Sequence, residues 1–131
     1  MDIFGGGLVP IFGKANPYRI PKSVRLRSSA SAYFSRTPVS AGNQKTWTWS
    51  GWVKRGTIGS QGLLISAGGT SNDLTYIGFD SSDRIDILNN IAGSTVLRKI
   101  TTPVYRDPSA WYHIVVSVDT TNATAGNRVL L

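Results

Sequence analysis

One run of residues, Lys45-Thr-Trp-Thr-Trp-Ser-Gly-Trp-Val-Lys54, constrains the fold more than any other part of the chain. Trp, Thr and Val side chains crowd a helix but fit a pleated, half-buried surface, so the run reads as a strand. A period of two puts Trp47, Trp49, Gly51 and Val53 on one face. Thr46, Thr48, Ser50, Trp52 and Lys54 fall on the other. The first face is predicted to enter a core. Trp52, alone among polar neighbours, is the candidate for contact with a glycan or a protein.

The remaining sequence repeats this texture. Alternating or β-branched runs occur at residues 23–27, 30–35, 62–67, 74–79, 84–88, 94–101 and 111–118, and a further one begins at Arg128. Between them stand turn formers: Thr37-Pro38, Gly68-Gly69, Asp80-Ser-Ser-Asp83 and Asn89-Asn90. No window carries apolar residues at i, i+3, i+4 and i+7 for long enough to make a helix. Short strands at close, regular spacing predict an all-β, antiparallel β-sandwich. Its domain is read as residues 23–131. Leu131 stops two residues into the apolar run of a strand, so the last strands are expected to lie beyond it or to come from another chain.

Residues 1–22 differ, with three Pro, four Gly and no sustained period. They carry Ile3, Phe4, Leu8, Phe12 and Tyr18, which is too apolar for the composition of a disordered tail. The segment reads as an extended arm that orders by lying on another surface, the alternative being a mobile terminus or packing on its own domain, and these five residues are the docking candidates. Asp2 excludes N-myristoylation. Gly5-Gly6-Gly7 and Pro10 break the apolar stretch that a signal peptide would need. No run approaches the roughly 20 apolar residues that span a bilayer, so membrane insertion is not expected.

Composition removes several chemistries. The chain has no Cys, which excludes disulfides, thiolate metal sites and thiol nucleophiles. It has one His and no Glu. The net charge of +7 is concentrated at the front: residues 1–55 hold nine Lys/Arg against one Asp, whereas residues 56–131 hold five against six. A basic half fits an acidic partner, or it serves only to keep strand edges soluble. Nucleic acid is disfavoured as that partner, because Arg25 and Arg27 alternate along one strand without interleaved aromatics.

Three segments together resemble a known family. They are Tyr33-Phe-Ser-Arg-Thr-Pro38, the Trp-rich run ending in Trp52-Val-Lys54, and Trp111-Tyr-His113 with the later Asp119. This pattern resembles the laminin G-like, concanavalin A-like jelly-roll modules of tailed-bacteriophage structural proteins, over about residues 23–131. The resemblance implies a domain carried on a virion, in a tail fibre or tail-associated position, that binds host-surface glycan. The alternative it implies is a capsid decoration or head-fibre adaptor with a purely assembly role. Other virion proteins are then the expected partners, with homo-oligomerisation.

The candidate residues divide by role. Trp47, Trp49 and Trp111 could form a sugar-stacking platform, but core packing is the expected role for all three. His113 shares a face with Trp111 and Val115 and is assigned to the core as a hydrogen-bonding residue. A lone His cannot complete a zinc or nucleophilic site, so no metal site is assigned. Asp80 and Asp83 offer two carboxylates on one turn, short of the six to eight oxygens that Ca²⁺ takes, and no cofactor is expected. Glycosidases on this scaffold characteristically use Glu, which is missing, and Asp83 and Asp86 lie three apart on opposite strand faces. The chain is therefore read as a binding or assembly module and not as an enzyme.

Overall fold

The computed structural model describes residues 21–131, and seven strands form among them. They are β1 (Thr46–Lys54), β2 (Gly62–Thr70), β3 (Asp73–Phe79), β4 (Ile85–Ile91), β5 (Ser94–Ile100), β6 (Trp111–Asp119) and β7 (Val129–Leu130). They make two antiparallel sheets, ordered β1-β6-β7 and β2-β3-β4-β5. Chain contacts divide the molecule into two units, Met1–Val39 and Ser40–Leu131, and every strand named lies in the second.

The segments 23–27 and 30–35, expected as strands, form none. A single 3-10 turn, Ser28–Ala30, closes on Ser31 at φ 47°. A lone extended segment leaves its N–H and C=O groups unpaired, and these short runs find no partner strand among the described residues. The sandwich therefore begins near Ser40 and not at residue 23.

Two hairpins reverse later than their glycines and asparagines suggest. Gly68-Gly69 lies within β2, where Gly68 takes φ 141° at a bulge and a Cβ would collide with the Asp73 carbonyl oxygen. The chain turns instead between Thr70 and Asp73. Asn89-Asn90 likewise lies inside β4. The reversal falls at Ala92 and Gly93, with φ 50° and 77°, the left-handed pair that a tight two-residue hairpin requires.

The sheets close on each other through their apolar faces. Ile77, Phe79, Ile85 and Ile87 of the four-stranded sheet meet Ile114, Val116, Val118 and Val129 of the other. Trp47, Trp49 and Val53 of β1 pack against this cluster from the expected face. Face-to-face contact between two antiparallel sheets makes a β-sandwich.

At one end a buried ion pair ties the sheets together. Arg55, immediately after β1, donates from Nη1 to Asp83 Oδ1 at 2.7 Å and to the Tyr105 carbonyl at 2.8 Å. Its Nη2 donates to the Thr57 carbonyl at 3.0 Å, and its guanidinium lies 4.4 Å from the centre of the Phe79 ring. Asp83 sits in the β3–β4 turn at φ 66° and also accepts from Gly59 N–H at 2.7 Å and Arg106 Nε at 3.0 Å. Both charged side chains of the Arg55–Asp83 pair are only 3% exposed, yet every buried side-chain polar atom among the described residues is partnered. Tyr105 extends this end by edge contacts to Phe79 and Tyr112.

The hydrogen bond from Gly59 N–H, then those from Arg106 and Arg55, hold the Asp83 carboxyl below the usual range despite its burial. A carboxyl depressed in the folded state stabilises the fold above the unfolded value near pH 4 and stops doing so as pH falls through the folded value. Thermal stability is therefore expected to drop on acidification below about pH 4, and Asp83→Asn should flatten that limb while lowering stability at neutral pH. Arg55→Ala should lower the thermal midpoint well beyond Arg106→Ala, because the Arg106 side chain is 61% exposed and screened. Ile77, fully buried between the sheets, should cost about 2–5 kcal/mol in denaturant titrations when cut to Ala.

Candidate functional site

The strand pairing of β1 with β6 is nine residues long and in register throughout, from Thr46 opposite Asp119 to Lys54 opposite Trp111. Because side chains alternate, the sheet sorts its residues into two sets. Tyr112, Ile114, Val116 and Val118 of β6 turn inward with Trp47, Trp49 and Val53. Trp111, His113, Val115 and Ser117 turn outward with Thr48, Ser50, Trp52 and Lys54.

Trp111 and His113 therefore do not belong to the core, contrary to the expectation for both. Trp111 is 51% exposed and His113 is also exposed. The signal was available in β6 itself. One parity reads Tyr, Ile, Val, Val and the other Trp, His, Val, Ser, so the uniformly apolar set takes the interior. Trp47 and Trp49 are placed on the interior side, as their alternation predicts.

The outward face is organised around Trp52, which is 52% exposed. Trp52 and His113 are direct cross-strand neighbours, and their rings stack at 4.8 Å between centres and 19° between planes. Ser50 Oγ lies 3.1 Å from His113 Nε2, which fixes the imidazole from its other side. Trp111, opposite Lys54, and Val115, opposite Ser50, continue the surface, and β7 adds the exposed Leu130 opposite Ser117. The result is a shallow aromatic strip flanked by hydroxyls and one ammonium. Stacked or edge-on ring contacts, hydroxyl hydrogen bonds and a point charge are what such a strip can offer a ligand.

A cleft of about 1120 Å³ opens between the sheets, lined by Trp47, Ile65, Ile77, Leu97 and Val129 with Lys99 and Arg128 among its polar groups. Lys99 Nζ already donates to the Val129 carbonyl at 2.5 Å across the gap. Trp47, Ile77, Leu97 and Val129 of that lining belong to or pack on the sandwich core, whereas the outward face presents exposed aromatic rings, so the outward face is the better candidate.

The carboxylates are structural in their contacts. Asp80 accepts from the Ser82 and Arg84 amides and from the Arg84 guanidinium. Asp83 belongs to the Arg55 pair. Asp86 accepts from the Tyr76 hydroxyl at 2.7 Å and from Arg98 Nη2 at 3.0 Å. Burial and the Asp86 carboxylate push the Tyr76 hydroxyl up to about 12. No group of three or more His, Cys, Asp or Glu side chains placed to hold a metal ion occurs among the described residues. The docking candidates Ile3, Phe4, Leu8, Phe12 and Tyr18 lie outside the described residues.

Since Trp52 is half exposed, its removal is expected to cost only about 1 kcal/mol, the value of an aromatic pair. Trp49→Ala, which takes a large side chain from the interior, should cost about 3 kcal/mol or more in the same denaturant titration. Comparison of the chain with family models, with curated proteins and with solved structures gives no match in any of the three, so the role of the aromatic face rests on its own residues.

Proposed function

We propose that this chain is a bacteriophage virion structural protein, tail-associated, whose β-sandwich presents the outward face of β1 and β6 to host-surface glycan. The observation that carries the reading is the convergence of Trp52, His113 and Trp111 on one exposed face. These residues come from the Trp-Val-Lys and Trp-x-His segments on which the phage-module resemblance rests, and strand pairing sets them side by side. A pyranose ring has an apolar face that stacks on indole, and its hydroxyls seek donors and acceptors such as Ser50, Thr48 and Lys54. The exposed indole of Trp52, backed by His113, is the stacking surface in this reading. Lys54 gives acidic sugars an advantage over neutral ones.

In this reading the arm, residues 1–22, attaches the protein to the particle, and no catalytic step is involved. A glycan array probed with the whole chain, alongside adsorption to host cells, tests the proposal. Binding to a restricted set of surface glycans is expected, reduced at least about tenfold by Trp52→Ala, a loss of roughly 1.4 kcal/mol. A chain that binds no host glycan would instead favour an assembly role as a capsid decoration or adaptor, and equal binding after Trp52→Ala would overturn the aromatic face as the site.

A further inference from the structure

β1 is an edge strand that, among the described residues, pairs with β6 alone. Hydrogen bonds at the end of the ladder reveal which of its backbone groups face the open side. Thr120 N–H donates to the Lys45 carbonyl at 2.9 Å, so Lys45 faces β6, and residues 47, 49, 51 and 53 follow in the same parity. Asp119, the partner of Thr46, sends its N–H the other way, to the Arg128 carbonyl at 2.8 Å. The N–H and C=O groups of Thr46, Thr48, Ser50, Trp52 and Lys54 therefore point out of the sheet edge. Thr46 N–H is met there by Asn43 Oδ1 at 3.1 Å. Those of Thr48, Ser50 and Trp52 meet no partner among the described residues.

The edges of the four-stranded sheet are protected and β1 is not. β2 has two register shifts, at Leu63/Ile65 and Gly68/Thr70, which break the regular edge. β5 carries adjacent cations at Arg98 and Lys99. β1 runs nine residues without a bulge or a proline, and its one charge, Lys54, stands at its end. Long, regular, uncharged edges are templates for another strand.

We propose that the free edge of β1 pairs with β1 of a second copy of this chain, antiparallel, about a two-fold axis through Ser50. This register sets Ser50 against Ser50, Thr48 against Trp52 and Thr46 against Lys54, so no like charges oppose each other within β1. Paired residues in an antiparallel ladder share a face, and the two three-stranded sheets become one sheet of six. Both aromatic strips then lie on the same surface of that sheet. The interface is isologous, as a closed two-fold dimer requires. A ligand with repeating units could engage both strips, which would multiply a weak single-site affinity.

Sedimentation of the full chain across a wide concentration range reads the association, with Ser50→Lys and Ser50→Glu as the decisive variants. Each alone places like charges face to face on the axis and should weaken dimerisation at least about tenfold. An equimolar mixture of the two variants should recover a dimer, because opposite charges then meet. Thr48→Pro removes an outward N–H without touching the ladder to β6 and should also give a monomer. A chain that is monomeric at every concentration overturns the proposal, even if slow amide exchange at Thr48 and Ser50 then reveals another segment of the chain on that edge. A dimer unchanged by both Ser50 variants overturns it equally. The pairing stands apart from the glycan reading: Trp52→Ala tests binding, whereas the Ser50 pair tests association.

Discussion

The Arg55–Asp83 pair is the contact on which the arrangement of this sandwich most depends. Arg55 follows the strand carrying the aromatic face, and Asp83 lies in the turn between two strands of the opposite sheet. Taking both charges out of water is costly, and the surrounding contacts offset that cost only as a complete set. Gly59 N–H, the Tyr105 carbonyl, the Thr57 carbonyl and Arg106 complete it. Such a network specifies one geometry more strongly than it adds stability, because any sliding of one sheet over the other leaves a buried charge unpaired. Asp83 holds a left-handed conformation in the same place, so the turn and the ion pair constrain each other.

With that end fixed, β1 and β6 are held as a regular nine-residue ladder, and regularity creates the aromatic face. Cross-strand pairing makes Trp52 and His113 neighbours although they are distant in sequence. Ser50 orients the imidazole, and the imidazole backs the indole. The same regularity leaves the outer edge of β1 straight and unprotected. Ligand face and open edge are therefore two consequences of one strand, since the side chains that face outward belong to the residues whose backbone groups face the edge.

Strand positions were legible in the sequence because alternation and turn chemistry are local. β1 and β6 lie within a residue of their predicted bounds. The choice of face was legible for β1, where Trp47 and Trp49 oppose a polar set. In β6 both faces carry large side chains, Trp111 and His113 on one and Tyr112 on the other, and the interior goes to the more uniformly apolar set of Tyr112, Ile114, Val116 and Val118. Residues 23–35 look like strand material, but a strand exists only with a partner, and pairing is a long-range property. In the sequence Asp83 reads as a turn former, and Arg55 is one of nine front-half cations. Their partnership depends on how two sheets stack, which no local pattern encodes.

The claim that the outward face of β1 and β6 is the binding surface is tested most directly by nuclear magnetic resonance. Indole N–H and backbone amide shifts of the labelled chain would be followed while oligosaccharides of host-surface type are added. Perturbations centred on Trp52, Trp111 and His113, with Trp47 and Trp49 unmoved, are the expected result. Perturbations centred on Trp47, Ile65 and Leu97 along the inter-sheet cleft, or none at saturating sugar, would contradict it.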